Sequence, residues 1–158
     1  QGISDASFAP GQNLTRGMIA QILYNLEGSP AGASGAAFTD VSAGAWYAGA
    51  VNWAAAQGIV SGYDAGHFGP EDSVTREQLA SILYRYAQYK GYQTASSETA
   101  LQAFTDGGTI SDWAVEAMTW AVSDQVLSGK DGGTLDPQGT ATRAEVAQMM
   151  MNFLADRA

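Results

Sequence analysis

One fourteen-residue pattern occurs three times in the chain: NLTRGMIAQILYNL at 13–26, SVTREQLASILYRY at 73–86 and TATRAEVAQMMMNF at 140–153. Internal repetition constrains the fold strongly, because neighbouring copies of such a unit complete one another's core. Each copy carries Thr-Arg at the same place: Thr15-Arg16, Thr75-Arg76 and Thr142-Arg143. Apolar residues then follow at fixed intervals: Ile19, Ile22, Leu23 and Leu26; Leu79, Ile82, Leu83 and Tyr86; Val146, Met149, Met150 and Phe153. The i, i+3, i+4, i+7 spacing is one face of an α-helix. The Thr is a natural N-cap, since its hydroxyl accepts an orphan amide of the first turn. Gln78 and Glu145 complete a capping box with Thr75 and Thr142. Met18 stands at that position in the first copy, so its helix start is expected to be weaker.

The arginine is the anomaly. At the first helical position the macrodipole disfavours a cation. Three of them at one repeat position, in a chain with seven Lys and Arg in all, point to a specific task. A guanidinium beside free helix-terminal amides suits a carboxylate or phosphate. Alternatively, each Arg pairs with a nearby Asp to close the fold. Physical reasoning alone leaves these two readings even.

Composition narrows the partners. The 158 residues carry a net charge of −9, with a sequence pI near 4.2. No basic cluster is present, so nucleic-acid binding, which rests on phosphate neutralisation, is not expected. An anionic membrane surface would repel the chain. An anionic partner must therefore be captured locally, through single arginines. Cysteine is absent, which excludes disulfides and Cys-ligated metals. No signal peptide or transmembrane segment is recognisable. The chain opens at Gln1 without Met and partway through a motif, and reads as a piece of a longer protein.

Taken in order, residues 1–28 are a partial first repeat. Its opening QGISDASFAP aligns with QGIVSGYDAGHFGP at 57–70 if four loop residues are missing. A small-residue linker at 29–37 separates it from repeat two, 38–90, and a second linker at 91–103 precedes repeat three, 104–158. Repeat two runs Phe38-Thr39-Asp40, Trp46-Tyr47, a short helix with Ala50, Trp53 and Ala54 on one stripe, then a Gly-rich loop and the Arg76 helix to about Lys90. Repeat three keeps the register, with Phe104-Thr105-Asp106, Trp113, Ala117, Trp120 and Ser128-Gly129. Copies two and three are expected to form one cooperative folding unit on which the first-copy helix docks.

Phe-Thr-Asp-Val, Trp-Tyr, Ala-Val-x-Trp-Ala, Gly-Ile-Val-x-Gly, Phe-x-Pro and Val-Thr-Arg-Glu-Gln together resemble the S-layer homology domain of bacterial surface proteins. The likeness covers two whole repeats and the second half of another. It implies an all-α fold of helix-loop-helix repeats in a pseudo-threefold spindle, here with the first repeat incomplete. It implies non-covalent anchoring of an exported protein at the bacterial cell surface, by binding acidic and often pyruvylated secondary cell-wall polysaccharide. Grooves between repeats hold the sugar, and the Arg of the Thr-Arg motif contacts it, here Arg76, Arg143 and Arg16. Copy one lacks its Phe-x-Asp and Trp half, so Arg16 is expected to matter least. Copy three has one extra residue before Trp113, and Ala114 where the family usually has Tyr.

Other residues have two readings each. Trp53 and Trp120 lie on helix stripes and are expected in the core. Trp46 and Trp113, at helix starts, are divided between core packing and stacking on sugar rings. Asp40 and Asp106 are expected to cap the turn into the first helix, with a second role in orienting Arg or binding sugar hydroxyls. Gly62 and Gly129 are expected to be needed for backbone shape, and to let a ligand approach closely. His67, the single histidine, lies in a Gly-rich loop and is expected to be exposed. No nucleophile-elbow pattern accompanies it, so a Ser-His-Asp triad is not supported; a zinc site would need a second His or a Cys, and no cofactor, metal or catalysis is expected. DGGTLD at 131–136 lacks the alternating ligands of a calcium loop. The alternative to glycan binding is a protein-assembly module, in which a partner chain supplies the missing half-repeat.

Overall fold

The computed structural model describes residues 13–30, 38–42, 44–64, 66–94, 96–97, 99–130 and 133–155. Among them stand five α-helices and no sheet: α1 (Arg16–Leu26), α2 (Ala48–Ala56), α3 (Arg76–Lys90), α4 (Val115–Ser123) and α5 (Arg143–Ala155). The class is all-α, as the resemblance implies. Short 3-10 turns occupy Ala100–Ala103, Gly107–Thr109 and Asp112–Ala114. The expected alignment of residues 1–10, most of the 29–37 linker, and the first two residues of the 131–136 loop lie outside the described residues.

Each repeated helix begins as its sequence directs. Thr15, Thr75 and Thr142 accept the amides of Met18, Gln78 and Glu145, all at 3.2 Å. Gln78 and Glu145 return the bond, accepting the Thr75 and Thr142 amides at 3.0 Å. A thioether cannot replace that acceptor, so α1 keeps half the box. Gly91, at φ +77°, ends α3 in the left-handed conformation that a residue without Cβ adopts freely.

The chain divides into two compact units, and they cut across the sequence repeats. One is Leu14–Val74; the other takes Asn13 and runs from Thr75 onward. Copy two is therefore divided between the units. The reason is the apolar face of α1. Ile19, Ala20 and Leu23 are buried together with Ala50, Val51, Trp53 and Ala54 of α2, the helix α1 packs against. The rings of Tyr24 and Trp53 lie 5.7 Å apart across that contact. In the second unit α3 packs on α4, burying Leu79, Leu83, Met118 and Trp120. Phe153 of α5 closes that core, edge-on to Trp120 at 6.0 Å and 5.9 Å from Tyr86. Leu26 and Met150, both on the expected apolar faces, are exposed and half-buried respectively.

Two glycines set how closely the loops fold. A Cβ on Gly62 would stand 2.5 Å from the His67 carbonyl and 2.6 Å from the Phe38 ring. On Gly129 it would stand 2.5 Å from the Phe104 ring. Each Phe of the Phe-Thr-Asp motif thus fills the space over its glycine. Gly44 has nothing within 4 Å of such an atom. Gly62→Ala and Gly129→Ala are expected to destabilise by about 1–3 kcal/mol in urea unfolding, as overpacked sites do, while Gly44→Ala stays at wild-type stability. Equal effects at all three positions would contradict the close approach.

Candidate functional site

Arg16, the first residue of α1, turns away from solvent and is 6% exposed. Its Nε donates to the Phe68 carbonyl at 2.9 Å and its Nη2 to the Ser61 carbonyl at 2.8 Å. The guanidinium also lies 4.7 Å from the centre of the Tyr63 ring and 4.6 Å from that of Phe68, within cation–π range. Burial lowers its pKa, against the opposing pull of Tyr63, Asp72 and Asp40; a guanidinium starts so high that it stays charged.

Arg76 repeats the arrangement in the second unit. It is 3% exposed. Nε donates to the Leu135 carbonyl at 2.7 Å and Nη2 to the Ser128 carbonyl at 3.2 Å. Its Nη1 adds an ion pair to Glu145 at 3.2 Å. Both arginines therefore grip the loop of the following copy through neutral carbonyls, and among the described residues no Asp takes the part of direct partner. The amides that would make an anion seat at each helix start are also engaged. Arg16 and Gly17 donate to Asp72 and Pro70, and Arg76 and Glu77 to Gly139 and Pro137, all at 2.9 Å. Arg143, at the start of α5, is half-buried.

Asp40 and Asp106 do not cap a helix; that expectation is corrected. The Asp40 carboxylate accepts the amides of Phe68 and Gly69, both at 2.9 Å. Asp106 accepts those of Leu135 and Asp136, both at 2.8 Å. The loop residue gripped by arginine through its carbonyl is thus held by aspartate through its amide. Desolvation works against both carboxylates, yet the paired amides hold each below the usual carboxylate range, with His67 assisting at Asp40 and Arg76 at Asp106.

The four tryptophans separate cleanly. Trp53 and Trp120 are buried; Trp46 and Trp113 stand 61% and 58% exposed, just before α2 and at the 3-10 turn before α4. Trp46 rests edge-on against Tyr47 at 5.0 Å, and Tyr47 in turn lies over Gly17. His67 is exposed, as expected, with its Nδ1 2.9 Å from Asp64. That contact raises the imidazole pKa. Among the described residues no group of three or more His, Cys, Asp or Glu is placed to hold a metal.

Sequence reasoning passed over two residues, Tyr63 and Glu77. Tyr63 lies over Arg16 and donates to Asp72 at 2.8 Å. Glu77 is 3% exposed. It accepts from the Ser111 amide at 3.0 Å, the Ser111 hydroxyl at 2.7 Å and Gln138 at 3.2 Å. The signal lay within the chain. Copy one has Gly17 where copy two has Glu77, while Tyr47 and Glu71 of repeat two become Ala114 and Gln138 of repeat three. A phenol that bonds a glutamate in one unit is exchanged for a glutamate that bonds an amide in the other.

Repeats with these registers, an all-helical fold and a helix-start arginine in the next copy's loop define a repeat module of one family. The profile described as the S-layer homology domain matches residues 37–80 and 103–147. The chain belongs to the S-layer homology domain family. It is 32% identical over 155 residues to the exoglucanase XynX of Acetivibrio thermocellus, covering 98% of this chain and 14% of that one. Identity to the surface-layer 125 kDa protein of Lysinibacillus sphaericus is 31% over 151 residues, 93% of this chain and 12% of that one. To the S-layer protein EA1 of Bacillus anthracis it is 28% over 139 residues, 88% and 15%. The chain thus spans about one seventh or less of the length of these relatives. Family and relatives support cell-wall anchoring as the general role and point to the cell surface. No helix among the described residues is long and apolar enough to cross a membrane.

The aspartate clamps give stability a definite pH dependence. A carboxylate whose folded pKa lies below its unfolded value of about 3.9 contributes fully above that value and loses the contribution as pH falls through the folded pKa. Asp40 and Asp106 are of this kind. His67 has the opposite sign: its contribution is present below about pH 6.5 and lost as pH rises through its raised folded pKa. Urea midpoints taken from pH 6 to pH 3 should fall in the wild type and fall less in the Asp40→Asn, Asp106→Asn double variant. Parallel curves for the two proteins would remove the clamp from the account.

Proposed function

We propose that the chain anchors an exported protein to the bacterial cell wall by binding acidic secondary cell-wall polysaccharide, including pyruvylated forms. The observation carrying this reading is the pair of exposed indoles, Trp46 and Trp113, at one repeat position in two units. A large aromatic left in water at a repeated position is costly to expose, and it offers a flat face to a sugar ring. Arg16, Arg76 and Arg143 supply the cations for an acidic sugar in this reading. Asp40, Asp106, Gly62 and Gly129 fix the loops around them. The reading is binding without catalysis.

A second reading, the assembly module, draws support from Met151 and Leu154, which leave α5 exposed on its outer side at 66% and 36%. Co-sedimentation with purified wall polysaccharide distinguishes the two. The wild type should sediment with the glycan. Trp46→Ala and Trp113→Ala should remain folded, because both indoles are exposed, and should each bind several-fold to about 10-fold more weakly. Stable oligomers in solution with no sedimentation would sink glycan anchoring and favour assembly.

A further inference from the structure

Trp46 and Trp113 occupy one repeat position, yet each is held by different parts. In the first unit Trp46 rests edge-on against Tyr47 at 5.0 Å. Tyr47 lies against Gly17, whose Cβ would stand 3.3 Å from its ring, and its hydroxyl bonds Glu71. In the second unit the positions of Tyr47, Gly17 and Glu71 carry Ala114, Glu77 and Gln138. Ala114 has no ring to lay over a helix start, and the segment before Trp113 is one residue longer. Glu77 reaches that segment instead, from the first turn of α3, where the macrodipole favours a carboxylate. It is 3% exposed. One of its oxygens accepts from the Ser111 amide at 3.0 Å and from Gln138 at 3.2 Å, the other from the Ser111 hydroxyl at 2.7 Å. Gln138 also donates to the Thr109 carbonyl at 2.8 Å. A carboxylate taken out of water is costly unless donors of this kind meet it.

Ser111 is the residue on which the Trp113 turn closes. It is the N-cap of the 3-10 turn Asp112–Ala114, and its carbonyl accepts the Ala114 amide at 2.8 Å. A serine at such a position commonly caps its own turn; this one makes no cap bond and gives its hydroxyl to Glu77. We propose that Glu77 is a positioning residue for Trp113: buried and out of a ligand's reach, it sets the exposed indole by holding Ser111 through amide and hydroxyl together. Tyr47 does the corresponding work for Trp46 through ring contact. The proposal rests on the glycan-anchoring reading for what the indole binds, and not for how the indole is held. A side chain already fixed in one orientation loses less freedom on binding. Loosening the Ser111 turn therefore weakens binding without removing a group that touches the sugar.

The test uses Glu77→Gln in the full chain. Gln matches Glu in shape, and Thr75 and Gln78 keep the α3 capping box, so the helix should retain its start. Gln offers one acceptor oxygen where Glu offers two, and one Ser111 bond is lost. Hydrogen exchange at the Ser111 and Ala114 amides should rise about 10-fold, the loss of one charge-assisted bond. The Trp113 indole N–H resonance should move while that of Trp46 stays. Binding to purified wall polysaccharide should weaken several-fold. Added to Trp113→Ala, Glu77→Gln should weaken binding no further; added to Trp46→Ala, the two losses should multiply. A further loss in the Trp113→Ala background would show that Glu77 acts by another route, and overturns the proposal. So does unchanged binding by Glu77→Gln, or a Trp113 resonance and turn exchange that stay at wild-type values, in which case the buried Ile110 and Ala114 hold the turn unaided. Ser111→Ala removes the hydroxyl from the other side and carries the same expectations if Glu77→Gln does not fold. A wild type that fails to sediment with wall polysaccharide, while Trp113 still responds to Glu77→Gln, removes the glycan reading and leaves the positioning standing.

Discussion

The structure depends on a cation donating to neutral carbonyls. A guanidinium removed from water must have its donors satisfied, and Arg16 and Arg76 satisfy theirs on the carbonyls of residues 61 and 68, and of 128 and 135. The loops then supply carbonyls to the helix amides in return, so the orphan donors of α1 and α3 are met by the same segments that the arginines grip. Asp40 and Asp106 hold the other side of those segments. Removing the arginine side chain would leave the loop to the aspartate clamp and the helix-start amides.

This exchange explains why the compact units do not coincide with the sequence repeats. Arg16 and Arg76 each belong to one copy and their loops to the next, so the first unit begins at one repeated helix and ends where the next starts, while the second begins at α3 and takes in α5. The Phe of the Phe-Thr-Asp motif completes it by lying over the loop glycine. The motifs that define the repeat are therefore contacts between copies, and a single copy contains few of its own partners.

Much of this was legible in the sequence, and the remainder was hidden for identifiable reasons. The helices were readable because Ile19, Leu79, Val146 and their followers keep a 3.6-residue period, and their starts because Thr followed three residues later by Gln or Glu has one local meaning. The arginines were recognisable as anomalies, but their partners lie 45 to 59 residues away, and no local rule reports a carbonyl at that distance. Asp40 was read as a local cap for the same reason, whereas its amides are 28 and 29 residues on. Trp46 and Trp53 look alike as letters; only the direction of the chain before α2 decides that one is exposed and the other buried. Glu77 carries no local signal of its partners, because Ser111 and Gln138 lie 34 and 61 residues away, although the exchange of Gly17, Tyr47 and Glu71 for Glu77, Ala114 and Gln138 is visible between the copies.

The functional reading follows from the same interaction. Loops held by arginine through their carbonyls and by aspartate through their amides, with an exposed indole in each of two repeats, are what the proposed glycan binding draws on. Native-state hydrogen exchange on Arg76→Lys tests the central claim most directly, because Lys keeps the charge and loses the fork that reaches two carbonyls. Amides of Leu135 and Asp136 should exchange faster by about 10-fold or more, while amides in the middle of α3 keep their wild-type protection. Unchanged exchange at 135 and 136 would contradict the account, since the loop would then be held without the arginine.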